Sequence, residues 1–236
     1  MSAAKLVVPA TNLLLASLPS KEHENFIAQS KLIELSSGEV LGEPGDETSN
    51  VCFPIDCFIS LICQVDNQSS MEIGTAGPEG MLGLNIVLGS KTSLLRAVVE
   101  TSGTALSMPS DRFLQIYEKS NVLQQNLKNY TYIRLNQLCL TASCHRFHVL
   151  DARLSRWILT AQDCTRSSEI NITHEFLAAR LGVRRAGITK AAGILQKKKL
   201  ISYRMGRLKI LDRKGLEAIT CGCYQAIKET YKKLMK

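Results

Sequence analysis

Residues 172–195, ITHEFLAARLGVRRAGITKAAGIL, decide the fold. Thr173 stands where a helix would begin, with a hydroxyl suited to accept a free backbone N–H. Phe176, Leu177 and Leu181 then recur at helical spacing, and Gly182 interrupts the pattern. A second helical pattern follows. At ~100° per residue, Ile188, Ala191, Ala192 and Leu195 gather on one side, and Arg185, Ala186, Thr189 and Lys190 on another. One face packs; the other is basic and short-stemmed, as a helix entering a DNA major groove requires. An ordinary helical hairpin shares this pattern, so the flanking sequence has to discriminate.

Downstream, Lys197, Lys198 and Lys199 lead into LISYRMGRLKILD, residues 200–212. Leu200–Ile201 and Leu208–Leu211 read as strands joined around Met205–Gly206, with Arg204 and Arg207 near the tip. Helix-turn-helix plus hairpin is a winged helix-turn-helix, its wing placed for the phosphate backbone. The expected DNA-facing residues are Thr173, His174, Arg184, Arg185, Thr189, Lys190, Arg204 and Arg207.

Charge is lopsided in the same direction. From His148 onward there are 19 Lys/Arg against 7 Asp/Glu, and before it 10 against 14, within a net charge of +8. A basic C-terminal part behind an acidic front is the pattern of a polyanion binder with a separate sensing domain. The cations are spread over helix, wing and C-terminal helix rather than along one broad apolar face, so double-stranded DNA is the expected partner and a membrane is not. No apolar run approaches the ~18 residues of a membrane span. The N-terminal run LVVPATNLLLASLP is broken by Pro9 and Asn12, so no signal peptide is expected. A short helix should span Asn12 to Leu18, closed by Pro19. Eight cysteines without an export signal point to free thiols in a reducing cytoplasm.

Residues 31–108 are short β-rich runs: LIEL, EVLGE, VCFPI, FISLICQV, MEIGTA, RAVVET and TALSM, separated by SSG, EPGD, DNQSS and the glycines around Gly80. Strands at that spacing without crossover helices indicate a jelly roll or sandwich. From Asp111 to His148 the chain lacks Gly and Pro, which predicts one long helix. Its stripe of Leu123, Leu127, Tyr130 and Leu138, continued by Thr141 and Cys144, suits a twin helix in a homodimer, with packing on its own barrel as the alternative. Leu150–Asp163 is a further amphipathic helix, with Trp157 in the core. The predicted architecture is α+β and multidomain: a sensing β jelly roll over 1–110, a dimerisation helix and hinge over 111–148, and a winged helix-turn-helix with a C-terminal helix over 149–236.

In that order these parts resemble the CRP/FNR superfamily of bacterial transcription regulators. The resemblance rests on LGVRRAGITKAAGILQKKKLI and GRLKILDRKGLEAI between Thr173 and Ile219, and on GPEGMLG at 77–83, where the family's effector cassette begins. It implies that Arg185 and Lys190 match the positions reaching bases, with Arg184 at the start of that helix. Ala186 stands where several members carry Glu, which implies a different half-site. The same resemblance places an effector pocket at Glu79, Gly80, Gly83, Leu84, Asn85 and Arg96. Cyclic-nucleotide binders follow the second glycine with Glu and supply an Arg-Ser/Thr step for the phosphate. Here Leu84 and Asn85 follow Gly83, and Arg96 is out of phase by a residue, which turns a strand side chain to the other face. Ordinary cyclic AMP affinity is therefore not expected, and the effector is an unidentified small molecule, a partner protein or nothing. RNA polymerase is a further expected partner.

No cofactor, metal or catalytic site is expected. The family's iron–sulfur members use N-terminal cysteines, and this chain has none before Cys52. Cys52, Cys57 and Cys63 fall on strands as small buried thiols. Cys221 and Cys223, read on one helix, would face opposite sides and share no metal. Cys144 and His148, four apart, could share one but are too few alone. The four histidines avoid the β region, and no Ser-His-Asp order or Walker loop occurs. The alternatives are a cyclic-nucleotide-responsive regulator with a rebuilt pocket and a barrel enzyme with an accessory nucleic-acid-binding domain. In the second helix, Gly193 is expected to permit close packing against the first helix; Gly187 has no evident role.

Overall fold

The computed structural model describes residues 12–65 and 70–235. The signal-peptide reading and the DNQSS turn fall wholly or largely on residues outside that description. Helix α1 (Leu13–Ala16) begins at Asn12, whose side chain accepts from the Leu14 and Leu15 N–H groups. The same buried side chain donates to the carbonyls of Pro54 and Gly80, pinning α1 to the barrel. This short helix ends ahead of Pro19, as expected. Pro19 then precedes a second helix, α2 (Ser20–Ala28), at a position where a missing N–H and a fixed φ cost nothing.

Seven strands follow: β1 (Lys31–Leu35), β2 (Val40–Gly42), β3 (Asn50–Pro54), β4 (Ile59–Gln64), β5 (Ser70–Ala76), β6 (Arg96–Val99) and β7 (Gly103–Pro109). They form two antiparallel sheets, ordered β1-β7-β3 and β2-β6-β4-β5. A short helix, α3 (Leu84–Val87), lies between β5 and β6. The first sheet is covered by an aromatic cluster in which Phe26 stands edge-on to Phe53 at 5.2 Å and to Phe113 at 6.4 Å.

The long helix is two helices, α4 (Ser110–Lys119) and α5 (Asn121–Phe147). Ser120 breaks them by taking an extended backbone and capping α5, its Oγ accepting from the Leu123 N–H at 3.0 Å. A run without Gly or Pro concealed this break, because a serine serves equally well inside a helix or at its cap. The stripe Leu123, Leu127 and Tyr130 does not face a partner. All three are buried in the chain's own core with Phe53, Met81 and Phe113. Helical periodicity reports that a face is covered, not what covers it, and here the barrel does. Leu138 is exposed, in company with Tyr132 and Leu135.

The C-terminal part comprises α6 (Leu150–Thr165), β8 (Glu169–Asn171), α7 (His174–Leu181), α8 (Arg185–Lys197), β9 (Ile201–Arg204), β10 (Arg207–Ile210), α9 (Arg213–Ile219) and α10 (Cys223–Leu234). Its core joins Leu154, Ile158, Leu177, Ile188, Leu195 and Leu208. Trp157 meets Phe58 of the barrel at 5.7 Å. The wing sheet has three strands, β8-β10-β9, one more than the sequence pattern indicated. Helix α10 runs back along α5, where Asn129 Nδ2 donates to the Leu234 carbonyl and Asn136 Nδ2 to Thr230 Oγ1. Among the described residues, no helix is long and apolar enough to cross a membrane.

Candidate nucleic-acid interface and effector region

Helix α7 starts at Thr173, whose Oγ1 accepts from the Phe176 N–H at 3.1 Å. It stops at Gly182, in the left-handed conformation (φ 60°) that glycine adopts without steric cost. The turn delivers Arg184 and Arg185 to the start of α8. No side chain caps α8 and its first turn holds no acid. The Gly187 N–H donates to the Arg184 carbonyl at 2.8 Å, which leaves the N–H groups of Arg185 and Ala186 open to an anion. Ile188, Ala191, Ala192 and Leu195 are buried, whereas Arg184, Arg185, Ala186, Thr189 and Lys190 are exposed. Gly187 has a packing role after all, since a Cβ there would lie 3.1 Å from Leu150 Cδ2 at the start of α6. Gly193 does not mediate close packing; a Cβ there would have no neighbour within 4 Å.

Three of the expected DNA-facing side chains are engaged within the protein. Thr173 is spent as the cap. His174 stacks on Tyr203 with ring centroids 4.3 Å apart, and its Nδ1 lies 3.0 Å from Thr189 Oγ1. Burial, then Arg185, holds the His174 imidazole below its usual range. The neutral ring can thus donate from Nδ1 to Thr189, whose hydroxyl is directed at the Arg185 carbonyl at 3.2 Å. These contacts tie α7, α8 and β9 into one rigid unit.

At the wing, Met205 (φ 51°) and Gly206 (φ 76°) make the two-residue turn, as a tight hairpin requires. Arg204 and Arg207 stand directly opposite each other in register. Like charges facing across a ladder repel, so the pair gains from an anion placed between or over it. Among the described residues, none of Arg184, Arg185, Lys190, Arg204 and Arg207 takes part in an ion pair.

The expected effector residues are not brought together. Gly80 leaves room for packing: a Cβ there would lie 2.1 Å from the Tyr130 oxygen. Gly83 supplies a left-handed residue (φ 95°) ahead of α3, and Leu84 packs on the core. Asn85 closes its own loop by donating to Thr48 Oγ1, Ser90 O and Thr92 O. Arg96 stays at the surface, its Nε 3.3 Å from Glu43, although β2 carries a bulge beside β6. Of the six, Glu79 lines a partly open cavity of about 390 Å³ between β5, α5, α6 and α10. Its walls include Glu72, Arg134, Arg156, Trp157 and Asp163. Glu72 accepts from Ser60 Oγ and from Trp157 Nε1, and burial raises both its carboxyl and that of Glu79. Sequence reasoning missed this cavity because its walls come from four separated segments.

Two further features escaped the sequence. Arg180 of α7 reaches Glu100, just past β6, in a buried pair at 2.8 Å that docks the helix-turn-helix unit on the barrel. Cys221 precedes α10 rather than lying on it, so it does not point away from Cys223. Their sulfurs lie with Cys144 Sγ and a His148 ring nitrogen, all within 4.8 Å of one another.

Residues 152–219 match the model of the Crp-like helix-turn-helix domain. No curated protein sequence matches the chain significantly. Among solved structures, the c-di-GMP-responsive global regulator CLP of Xanthomonas campestris superposes with a TM-score of 0.65 at 17% identity, covering 81% of this chain and 99% of that one. A CRP-family transcriptional regulator of Thermus thermophilus gives 0.65 at 15% identity, with 79% and 95% covered. A CRP/FNR-family regulator of the same organism gives 0.62 at 19%, with 80% and 97% covered. The chain therefore carries a Crp-like helix-turn-helix domain on the fold of the CRP/FNR family of transcription regulators.

Proposed function

We propose that the protein is a homodimeric transcription regulator that reads a palindromic DNA site and answers to a signal other than cyclic AMP. The observation that carries this is the face of α8, where Arg185 and Lys190 stand exposed without counter-ions beside an uncapped helix start. An arginine so placed can make a bidentate contact to guanine, and the free N–H groups can hold a phosphate. The Arg204–Arg207 pair supplies backbone anchorage from the wing. The cavity beside Glu79 is the better candidate for the signal's site, because Arg96 stays outside it. RNA polymerase is the natural second partner of such a regulator.

Genome-wide immunoprecipitation tests the reading: it should recover a two-fold symmetric consensus with half-site centres about 10–10.5 bp apart or a multiple of that. Footprinting of a single asymmetric half-site saturated by a monomer would overturn it. Arg185→Ala should cost about 1–3 kcal/mol and relax discrimination at one base pair. Arg207→Ala should instead weaken all sequences alike and reduce the salt slope by about one unit. Competition binding over a range of salt concentrations separates the two, and an exchange of these phenotypes would reverse the roles of helix and wing.

A further inference from the structure

Two distant segments carry three cysteines and a histidine to one point. Cys144 lies in the last turn of α5 and His148 immediately after that helix, at the hinge into α6. Cys221 and Cys223 flank Gly222 at the entrance to α10, where the turn before the helix lets both sulfurs face the same way. Cys144 Sγ and Cys221 Sγ are 3.5 Å apart, and Cys223 Sγ is 3.6 Å from His148 Nδ1. A disulfide would need about 2.05 Å between sulfurs. Tetrahedral ligation at a Zn–S distance of about 2.3 Å places sulfurs roughly 3.8 Å apart, with sulfur–nitrogen edges slightly shorter. The observed spacings are those of ligands around one ion.

We propose that Cys144, His148, Cys221 and Cys223 form a Cys3His site for a zinc-class divalent ion, which clamps the α5–α6 hinge to the start of α10. The three thiols are buried and His148 is exposed, so the cluster has a dry interior and an entry side. Binding the ion from three thiols and a neutral imidazole releases three protons and leaves a net charge of −1. The Arg156 guanidinium lies close enough to favour the thiolates of all three cysteines. Ligation itself drives the deprotonation of the three thiols. A bound ion joins the end of the sensor-side helix, the hinge and the returning C-terminal helix, three places where the chain could otherwise move independently.

The test is cobalt titration of the reduced, full-length protein after chelation, read by absorbance, together with the metal content of the protein as purified. One Co²⁺ per chain is expected, with thiolate charge-transfer bands in the near ultraviolet and the strong visible bands of tetrahedral cobalt, both displaced by Zn²⁺. Cys223→Ser should weaken binding by more than the ~10–100-fold that loss of an outer-shell partner costs. His148→Ala alters only an exposed side chain, so it leaves the fold intact and should weaken binding likewise. His148→Cys should restore it, with stronger charge transfer from a fourth thiolate. Cys63→Ser and Cys139→Ser should change nothing. Absence of the bands in the unmodified protein, or their persistence in both Cys223→Ser and His148→Ala, would overturn the proposal.

Discussion

In alkali, Arg180→Ala should destabilise the protein by about 3–5 kcal/mol, because it strands a buried carboxylate. At about 2–4 °C per kcal/mol for a chain of this size, the melting point should fall by roughly 6–20 °C. Arg180 and Glu100 are 9% and 4% exposed, and the guanidinium also covers the Phe176 ring at 4.3 Å. Among the described residues, Glu100 has no comparable second cation. Its carboxyl is raised from 4.5 to about 8, chiefly by burial, with Arg180 pulling against that rise and the neighbouring Glu72 adding to it.

The sign of the pH dependence follows. A carboxyl raised in the folded state binds more protons there than when unfolded, so this group's contribution to stability declines as pH rises from about 4.5 to 8 and is level above. Without Arg180 the carboxyl rises further and the decline extends to higher pH. The penalty of Arg180→Ala should therefore be small near pH 6, where Glu100 takes up a proton, and reach its full size in alkali. Replacing both partners by apolar residues, Glu100→Leu with Arg180→Met, should recover most of the loss. Denaturant unfolding of the single and double variants at pH 6 and pH 9 measures all of this. A penalty independent of pH would place the cost in lost packing on Phe176 instead of in the stranded charge.

What the sequence made legible was local. The seven strands announce themselves by short β-rich runs between turn residues, and each signal spans only a few positions. The wing is read from Met205–Gly206, and the helix-turn-helix from Thr173, Gly182 and the buried set Ile188, Ala191, Ala192 and Leu195. What stayed hidden depends on partners far along the chain. Leu127 repeats as an interface residue would, yet its cover is the barrel. The family resemblance groups Glu79 with Gly83 and Arg96, whereas the fold sets it beside Arg134 and Asp163. Cys144 and Cys221 meet across 77 positions, which no periodicity records. One local clue was available there: Gly222 between two cysteines is a turn signal, and reading it would have removed Cys221 from the helix.

The exposed face of α5 yields the prediction with the largest expected effect. Leu127 is fully buried, so Leu127→Ala should cost about 2–5 kcal/mol of folding stability and leave self-association unchanged. The opposite should hold at Leu135, which is 57% exposed beside Tyr132 and Leu138. In a homodimer joined along α5, that face meets its own symmetry mate, and every substitution acts twice. Burying one leucine contributes about 1.5–3 kcal/mol, so two copies contribute roughly 3–6 kcal/mol to association. At about 1.4 kcal/mol per decade this is on the order of 10²–10⁴ in the dimer dissociation constant. Leu135→Asp adds the cost of bringing two carboxylates together, while an exposed substitution should alter monomer stability by only about 0.5 kcal/mol. Sedimentation of both variants over a wide concentration range, paired with thermal unfolding, separates the cases. A Leu135→Asp protein that sediments like the unmodified chain would remove α5 as the dimer seam, and with it the geometric basis for two recognition helices set one DNA turn apart.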